Sequence, residues 1–441
     1  GPKGHLLTGN WPEFRRNRLE FLSRCAREFG DVVGMRLGPH RVVVLNHPDL
    51  VEEVLVTQAR HFIKHFALRV NPLVLGKGLL TSDGDFWLRQ RRLMQPAFNR
   101  GRVGRYAPVM TEYAERMLTR WQQGQTFDVF AEMSRLTLEI AAKTLFDAEA
   151  GDKANEVGRA LEVLLEAFLT RVHRLWAPPS WVPTPRNVRF RRALRRLDEI
   201  IYGFIAQRRS QPEQHHDFLS ILLNARDEQD HTGMTDRQVR DEAMTLFLAG
   251  HETTALALTW TWYLLARHPE IEQKAADEAR TVLGDRTATA EDWPRLRLTE
   301  QVVRETMRLY PPAFIIGRES IADVSIAGYR LPRGTTILMS TWVLHRDARF
   351  WPAADTFDPG RWTEAAERDR PRFAYFPFGG GPRLCIGNHF AMMEAVLVLA
   401  TIARRYRFAL AGEEPVAPAP TFTLRPERSI VARVSLRASE E

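Results

Sequence analysis

The chain has 441 residues, 62 of them Lys or Arg and 54 Asp or Glu, for a formal net charge of +8; 44 % are hydrophobic, 10 % aromatic and two are cysteine. That composition excludes a disordered, collagenous or disulfide-stapled protein and allows a large core. Cys25 and Cys385 form no disulfide framework and read as reduced thiols of a cytoplasmic protein, with peripheral membrane attachment open because the sequence begins at Gly1.

Helical patterning dominates. Amphipathic helices are expected over 11–29 and 47–59, flanking two β-rich runs in 31–45 that meet at Gly38-Pro39, a hairpin signal. From Gly84 to about Arg174 the pattern is helical, with breaks near Pro96, Pro108, Gly124 and Gly151. Residues 86–105 hold six Arg and no acid, and residues 186–196 hold six more. Such runs are ordinarily solvated faces; neither carries a nucleic-acid reading motif, and an acidic protein or a lipid headgroup would suit them equally. The four prolines of 177–185 require an extended loop, after which helices resume over 188–210 and from an N-capping Thr235 to about His268. That last helix is apolar on most sides near 243–265 and should cross the centre of the molecule. A helix over 299–310 stops at Pro311-Pro312; short β runs follow around 324–339, then a loop-rich segment, a helix from about Cys385 to Arg405 and a β-like tail. The apolar run 395–403 is shorter than a membrane span, so no integral membrane segment is expected. The whole reads as mainly α with a small β lobe (α+β), one domain over 1–441 with the β lobe at about 31–45 and 313–340.

The most informative segment is 376-FPFGGGPRLCIGNHFAMMEA-395. Consecutive glycines permit tight turns and close approach to a flat ligand, and they deliver Cys385 where a helix begins, a position that biases a thiol toward thiolate. Cys25, inside an amphipathic helix, reads as inert core. The long helix carries 247-FLAGHETTALAL-258. Its adjacent hydroxyls, costly to bury unpaired, either bond back to the i−4 carbonyls or serve chemistry. His251-Glu252 begins a zinc-protease motif, but Ala255 stands where its second histidine would be.

Phe378, Gly381, Arg383, Cys385 and Gly387 match the haem-binding signature of the cytochrome P450 superfamily, and the chain resembles that family over its whole length, with further motifs in order. The resemblance implies a cytochrome P450 fold holding haem b (iron protoporphyrin IX) between the long helix and the cysteine loop, with Cys385 as iron ligand and Phe378 beside the sulfur. Thiolate ligation favours O–O cleavage over reversible oxygen carriage. Ala249 and Gly250 would leave room for dioxygen, while Thr253 and Glu252 would relay protons; His251 receives no role. Glu305 and Arg308 match the family's E-x-x-R, joined by Arg361, a buried network that holds the cysteine loop and takes no part in chemistry. Trp87 and Arg91 match a W-x-x-x-R; with Arg383, Arg318 and Lys64 they are the expected propionate contacts.

No dinucleotide fingerprint, cysteine cluster or flavin-like domain is present in the sequence. Electrons are therefore expected from NAD(P)H through a reductase and a ferredoxin or flavodoxin, docking near Arg89 and Arg92. The expected substrate walls are Phe66, Leu73, Val74, Leu75, Phe168, Trp176, Trp181, Leu246, Phe247, Ala313, Phe314, Ile315, Ile316 and Phe422, about half of them core by burial habit, with Arg69 as the one charged anchor. These features point to a soluble bacterial-type monooxygenase that uses O2 to hydroxylate or epoxidise a lipophilic molecule such as a fatty acid or terpenoid. A peroxide-driven peroxygenase, a haem-thiolate isomerase and a non-catalytic haem sensor or carrier are the alternatives, for which Glu252-Thr253 would be superfluous.

Overall fold

The computed structural model describes residues 1–69, 75–148, 158, 160, 163–164, 181–211 and 217–437. At the N-terminal end the expected 11–29 helix is split. Helix α1 (Trp11–Arg16) and helix α2 (Arg18–Phe29) meet at Asn17, whose extended backbone lets its side chain accept the Glu20 N–H and cap α2. Helix α2 buries Leu22 and Cys25 against the hairpin of β1 (Val32–Leu37) and β2 (His40–Leu45). Burial pushes the Cys25 thiol up to about 11, as suits inert core. Gly38, at φ +60°, supplies the turn, and Leu37 pairs with His40 across it. The 47–59 helix is α-helical only over Pro48–Glu52 and widens to a π turn over Glu53–Thr57, before β3 (Phe62–Lys64).

The helical part begins with α3 (Gly84–Met94) and α4 (Ala107–Leu118). Pro96 sits in a 3₁₀ turn between them, but Pro108 occupies the first turn of α4, where its missing N–H costs nothing. Gly124 precedes β4 (Thr126–Asp128), whose Asp128 caps α5 (Val129–Phe146) through the Phe130 N–H. Gly151 lies outside the described residues. Helix α6 (Pro185–Ser210) starts three residues ahead of expectation because Thr184 caps it and Pro185 takes its first position.

Helix α7 (Asp236–Arg267) runs 32 residues. Thr235 caps it in a reciprocal box with Gln238, and it ends at His268, ahead of α8 (Pro269–Leu283). It packs on α5, on α9 (Arg297–Leu309) and on α10 (Asn388–Ala403). Every residue of α10 from Met393 to Ala403 is buried, because α4, α7, α8 and α9 enclose it. That enclosure accounts for the apolar run: a helix apolar all round is a buried one. Among the described residues no helix is long and apolar enough to cross a membrane.

Strands β5 (Ile316–Ser320) and β8 (Thr336–Met339) return to the N-terminal hairpin, while β6 (Val324–Ile326) and β7 (Tyr329–Leu331) between them pair only with each other. A five-stranded sheet results, in the order β1-β2-β8-β5-β3, with β2 and β8 parallel and the other neighbours antiparallel. The tail forms β9 (Tyr406–Leu410), the hairpin of β10 (Pro418–Pro420) and β11 (Leu424–Pro426), and β12 (Val431–Leu436), which joins β4 and β9.

Replacing Thr235 by Ala removes the cap of the longest described helix and should lower stability by about 1 kcal/mol in chemical denaturation. An unchanged midpoint would show that packing alone holds this end.

Candidate active site

The cysteine loop is shaped by its glycines. Phe376 accepts from the Gly379 N–H (2.9 Å), Gly381 from Leu384 (3.0 Å) and Phe378 from Cys385 (3.0 Å), so the chain folds back on itself. Gly381 has φ +64°, and a Cβ there would lie 1.8 Å from the Leu55 carbonyl oxygen; only glycine lets the loop press so close. Phe378 is half-buried against the main core cluster. Arg91 donates to the Leu384 carbonyl (2.8 Å) and so braces this loop, one residue from the sulfur.

Two expectations about the sulfur are corrected. Helix α10 begins at Asn388, capped by Gly387, and not at Cys385. Nor does the helix start govern the thiol: desolvation by the surrounding protein pushes Cys385 up, against the pull of the Gly387 N–H and Arg91. The helix N-terminus lies too far along the chain to outweigh that desolvation. A sulfur so placed ionises on meeting a metal cation, which fits it to an iron ligand.

Behind the loop stands a buried charge network. Glu305 and Arg308 are fully buried and bond in parallel at 2.8 and 2.9 Å. The remaining Arg308 donors reach the carbonyls of His345 (2.7 Å), Ala354 (2.6 Å) and Thr356 (3.1 Å), so all five N–H groups are used. Glu305 also accepts from the Asp358 N–H and the Trp362 indole, both at 3.0 Å, and Arg361 Nε lies 3.3 Å from it. His345 carries the link onward, its Nε2 accepting the Phe376 N–H at the head of the cysteine loop (3.0 Å). Burial holds that imidazole far below its ordinary range and therefore neutral.

A second cluster is incomplete. Lys64, Arg318 and Arg383 gather around a single carboxylate, Asp83, with Arg383 donating to it at 2.9 Å and the Lys64 amine 3.9 Å away. Trp87 lies beneath the cations, its ring centre 5.5 Å from Lys64 and 5.0 Å from Arg383. Among the described residues, buried Arg318 reaches only the carbonyl of its neighbour Gly317 (3.0 Å), and buried Arg383 Nε has no partner. Burial, with the neighbouring arginines adding to it, pushes Lys64 down to about 7 and Arg318 to about 10. Three cations against one carboxylate leave a cradle for an anionic ligand, and the two propionates of haem b supply that charge. Asp83 was not legible beforehand, since nothing marks it in sequence.

On α7, Ala249 and Gly250 are exposed and Thr253 half-buried, a notch in a helix otherwise buried across its middle. A Cβ on Gly250 would meet nothing within 4 Å. Thr253 donates to the Ala249 carbonyl (2.8 Å), as Thr254, Thr259 and Thr261 do to their own i−4 carbonyls. Thr253 differs in bordering the notch, where its oxygen can still accept a hydrogen bond. His251 Nδ1 lies 2.9 Å from the Phe247 carbonyl. Glu252 is turned to the tail. It is buried and bonded to Thr423 (2.9 Å) and Arg425 (2.7 Å) of the tail, partners more than 170 positions away that no sequence pattern announces.

The expected walls divide. Leu75 and Phe247 are core, Phe314 packs with Leu19 and Leu424, and Phe66 stacks on His40 with ring centres 3.8 Å apart. Leu246, Ala313, Ile315 and Ile316 are half-buried, while Trp181 and Phe422 are exposed, Trp181 at 75 %. Leu73, Val74, Phe168 and Trp176 lie outside the described residues. Arg69 pairs with Glu319 at 2.5 Å. Arg89 and Arg92 are likewise committed: Arg89 donates to Thr232 and Gly233 and Arg92 to Asp227 and Gln229, tethering α3 to the 227–233 loop. They are not a free basic face.

The chain matches the cytochrome P450 family over residues 1–432. It is 38 % identical to cyclooctatin synthase of Streptomyces melanosporofaciens over 96 % of this chain and 92 % of that one. It is 36 % identical to pentalenene oxygenase of Streptomyces avermitilis over 98 % and 96 %. Among solved structures, the haem domain of cytochrome P450DA superposes with a TM-score of 0.90, at 27 % identity, over 99 % of this chain and 97 % of that one.

Substituting Glu305 by Gln, or Arg308 by Lys, leaves buried charges or donors unpaired and should cost about 3–5 kcal/mol. Denaturation midpoint and bound haem per chain should fall together; a variant retaining both would refute the network's role in holding the loop.

Proposed function

We propose that this chain, which belongs to the cytochrome P450 family and is a haem-dependent monooxygenase, oxidises a terpenoid hydrocarbon. The observation that carries the choice of substrate is the commitment of Arg69 to Glu319. A fatty acid needs a cation for its carboxylate, and the anchor the sequence offered for one is already neutralised. The half-buried candidates Phe66, Ala313, Ile315 and Ile316 are apolar and suit a cyclic hydrocarbon. Relatives named for cyclooctatin and pentalenene support the same reading.

In this reading Cys385 would ligate the iron with Phe378 beside the sulfur, and Gly381 lets the loop that carries them press against Leu55. Lys64, Arg318, Arg383 and Trp87 would hold the propionates, and Arg91 steadies the loop through Leu384. When bound, the haem supplies the one-electron chemistry by which O2, two electrons and two protons convert a C–H bond to an alcohol and release water. Ala249 and Gly250 keep the notch in α7 clear of side chains, room that dioxygen would need. Thr253 presents a hydrogen-bond acceptor at the notch, and the Glu252 carboxylate, one residue earlier, passes protons toward it.

Electrons come from an external carrier, a ferredoxin or flavodoxin served by an NAD(P)H-dependent reductase. With Arg89 and Arg92 tied internally, the exposed remainder of the basic run, Arg100 and Arg105, is the better landing point for an acidic carrier. Reversing both charges should slow reduction at low salt and much less at high salt; salt-independent or unchanged kinetics would remove that site.

Substitution of Cys385 by Ser should abolish the red-shifted Soret band of the reduced, carbon monoxide-treated protein. With ¹⁸O2 and a reconstituted electron supply, cyclic terpenes should gain one labelled oxygen atom. Labelled fatty acids with unreacted terpenes would overturn the substrate choice, and oxidation with hydrogen peroxide alone would favour a peroxygenase.

A further inference from the structure

Glu242 stands on α7 seven residues before Ala249, two turns along the same face, and has no exposure to water. The loop over 76–82 lies against it. Glu242 Oε2 accepts the Leu79 N–H at 2.8 Å and Oε1 the Gln90 side-chain amide of α3 at 3.1 Å, while the adjacent Asp241 accepts the Lys77 N–H at 2.9 Å. Two glycines permit the approach. A Cβ on Gly76 would lie 2.0 Å from the Asp241 carboxylate, and one on Gly78 would lie 2.1 Å from the Thr245 hydroxyl. The loop also bonds to itself, Thr81 donating to the Gly76 carbonyl and Ser82 to that of Gly78, both at 2.9 Å. It ends at the anionic-ligand cradle: the Ser82 carbonyl holds the Lys64 amine, and Asp83 follows.

A buried carboxylate ordinarily keeps its charge beside a cation. Among the described residues every other buried acid stands within ion-pair distance of an arginine, except Glu394 of α10, whose Oε1 bonds to nothing. Glu242 differs from both kinds: it is bonded, but only to neutral donors. Burial pushes it up to about 7, against the pull of the Leu79 N–H and Gln90. Of the charged groups that face it, Asp241 adds to the rise and Lys64 of β3 opposes it. Arg240 is turned to Asp198 of α6 (2.7 Å) and to Asp241 (2.9 Å). As a neutral acid Glu242 is satisfied where it stands. Its Oε2 keeps the Leu79 N–H, and Oε1 donates once the Gln90 amide turns to present its carbonyl. As a carboxylate it is a buried charge bonded to no cation, and water reaches it when the loop lifts.

We propose that Glu242 is a proton-operated latch: as a neutral acid it holds the 76–82 loop on α7, and losing its proton lets the loop lift, which loosens the Ser82–Asp83 end of the cradle. The shut loop binds the proton more tightly than open water does. Closure is therefore strongest below the ordinary 4.5 and weakens as the pH rises to about 7. The latch does not depend on which substrate the enzyme oxidises.

Hydrogen exchange of the haem-loaded protein, read over residues 78–82 and corrected for the intrinsic rate, tests this directly. Protection should fall by up to about 10-fold per pH unit between about pH 5 and 7 and level off above, the slope of one proton. Glu242→Gln, neutral at every pH, should keep its protection at pH 8 and exceed the wild type there. A carboxylate that only fastens the scaffold predicts the reverse, since the amide would weaken its hold. Asp241→Asn retains an acceptor for the Lys77 N–H but removes the like charge, so its transition should move to lower pH. A wild type without the loss, a loss that persists in Glu242→Gln, or lower protection of that variant at pH 8 overturns the latch. Should Glu242→Gln fail to fold, Asp241→Asn decides: a transition that stays in place or moves upward overturns it.

Discussion

The Glu305 carboxylate has no exposure to water, and its charge survives because Arg308, Asp358, Trp362 and Arg361 converge on it. Arg308 in turn spends every donor on Glu305 and on the carbonyls of residues 345, 354 and 356. The loop-rich segment after β8 has little regular structure, so these bonds set its path. Through His345 and Phe376 the same constraint reaches the turn that presents Cys385. A chemically idle ion pair thus decides where the reactive sulfur stands.

The protein treats charge in two ways. At Glu305 every polar atom of the carboxylate is matched. At Asp83 three cations share one carboxylate, and burial lowers Lys64 and Arg318. Unmatched buried charge is unfavourable in a scaffold and persists where a ligand completes it. Lys64, Arg318 and Arg383 come from β3, β5 and the cysteine loop; β3 and β5 are neighbours in the five-stranded sheet, and Arg383 reaches β3 through the Phe62 carbonyl.

Helix α7 serves as both core and site. Its buried threonines satisfy themselves on the preceding turn, which lets a polar residue sit deep in an apolar helix without distant partners. The same local solution at Thr253 leaves an acceptor facing open space, because Ala249 and Gly250 withhold side-chain volume there. Glu252 cannot satisfy itself that way and is met by the tail hairpin.

Local rules made much of this legible. The glycine-rich turn before Cys385, the i,i+3 spacing of Glu305 and Arg308, the N-cap at Thr235 and the alternation around Gly38 each act within a few residues, so the order of the chain specifies them. Helix ends at Asn17 and Pro185 departed from expectation because capping side chains override apolar periodicity. What only the tertiary structure decided is the pairing of distant charges. Asp83 drew Arg383, Glu319 took Arg69, the 227–233 loop claimed Arg89 and Arg92, and Arg425 reached Glu252. Even the Cys385 thiol is pushed up by desolvation more than it is pulled down by the nearby helix start. Electrostatic partners and desolvation depend on distance through space, and a linear order of residues carries that distance only for neighbours.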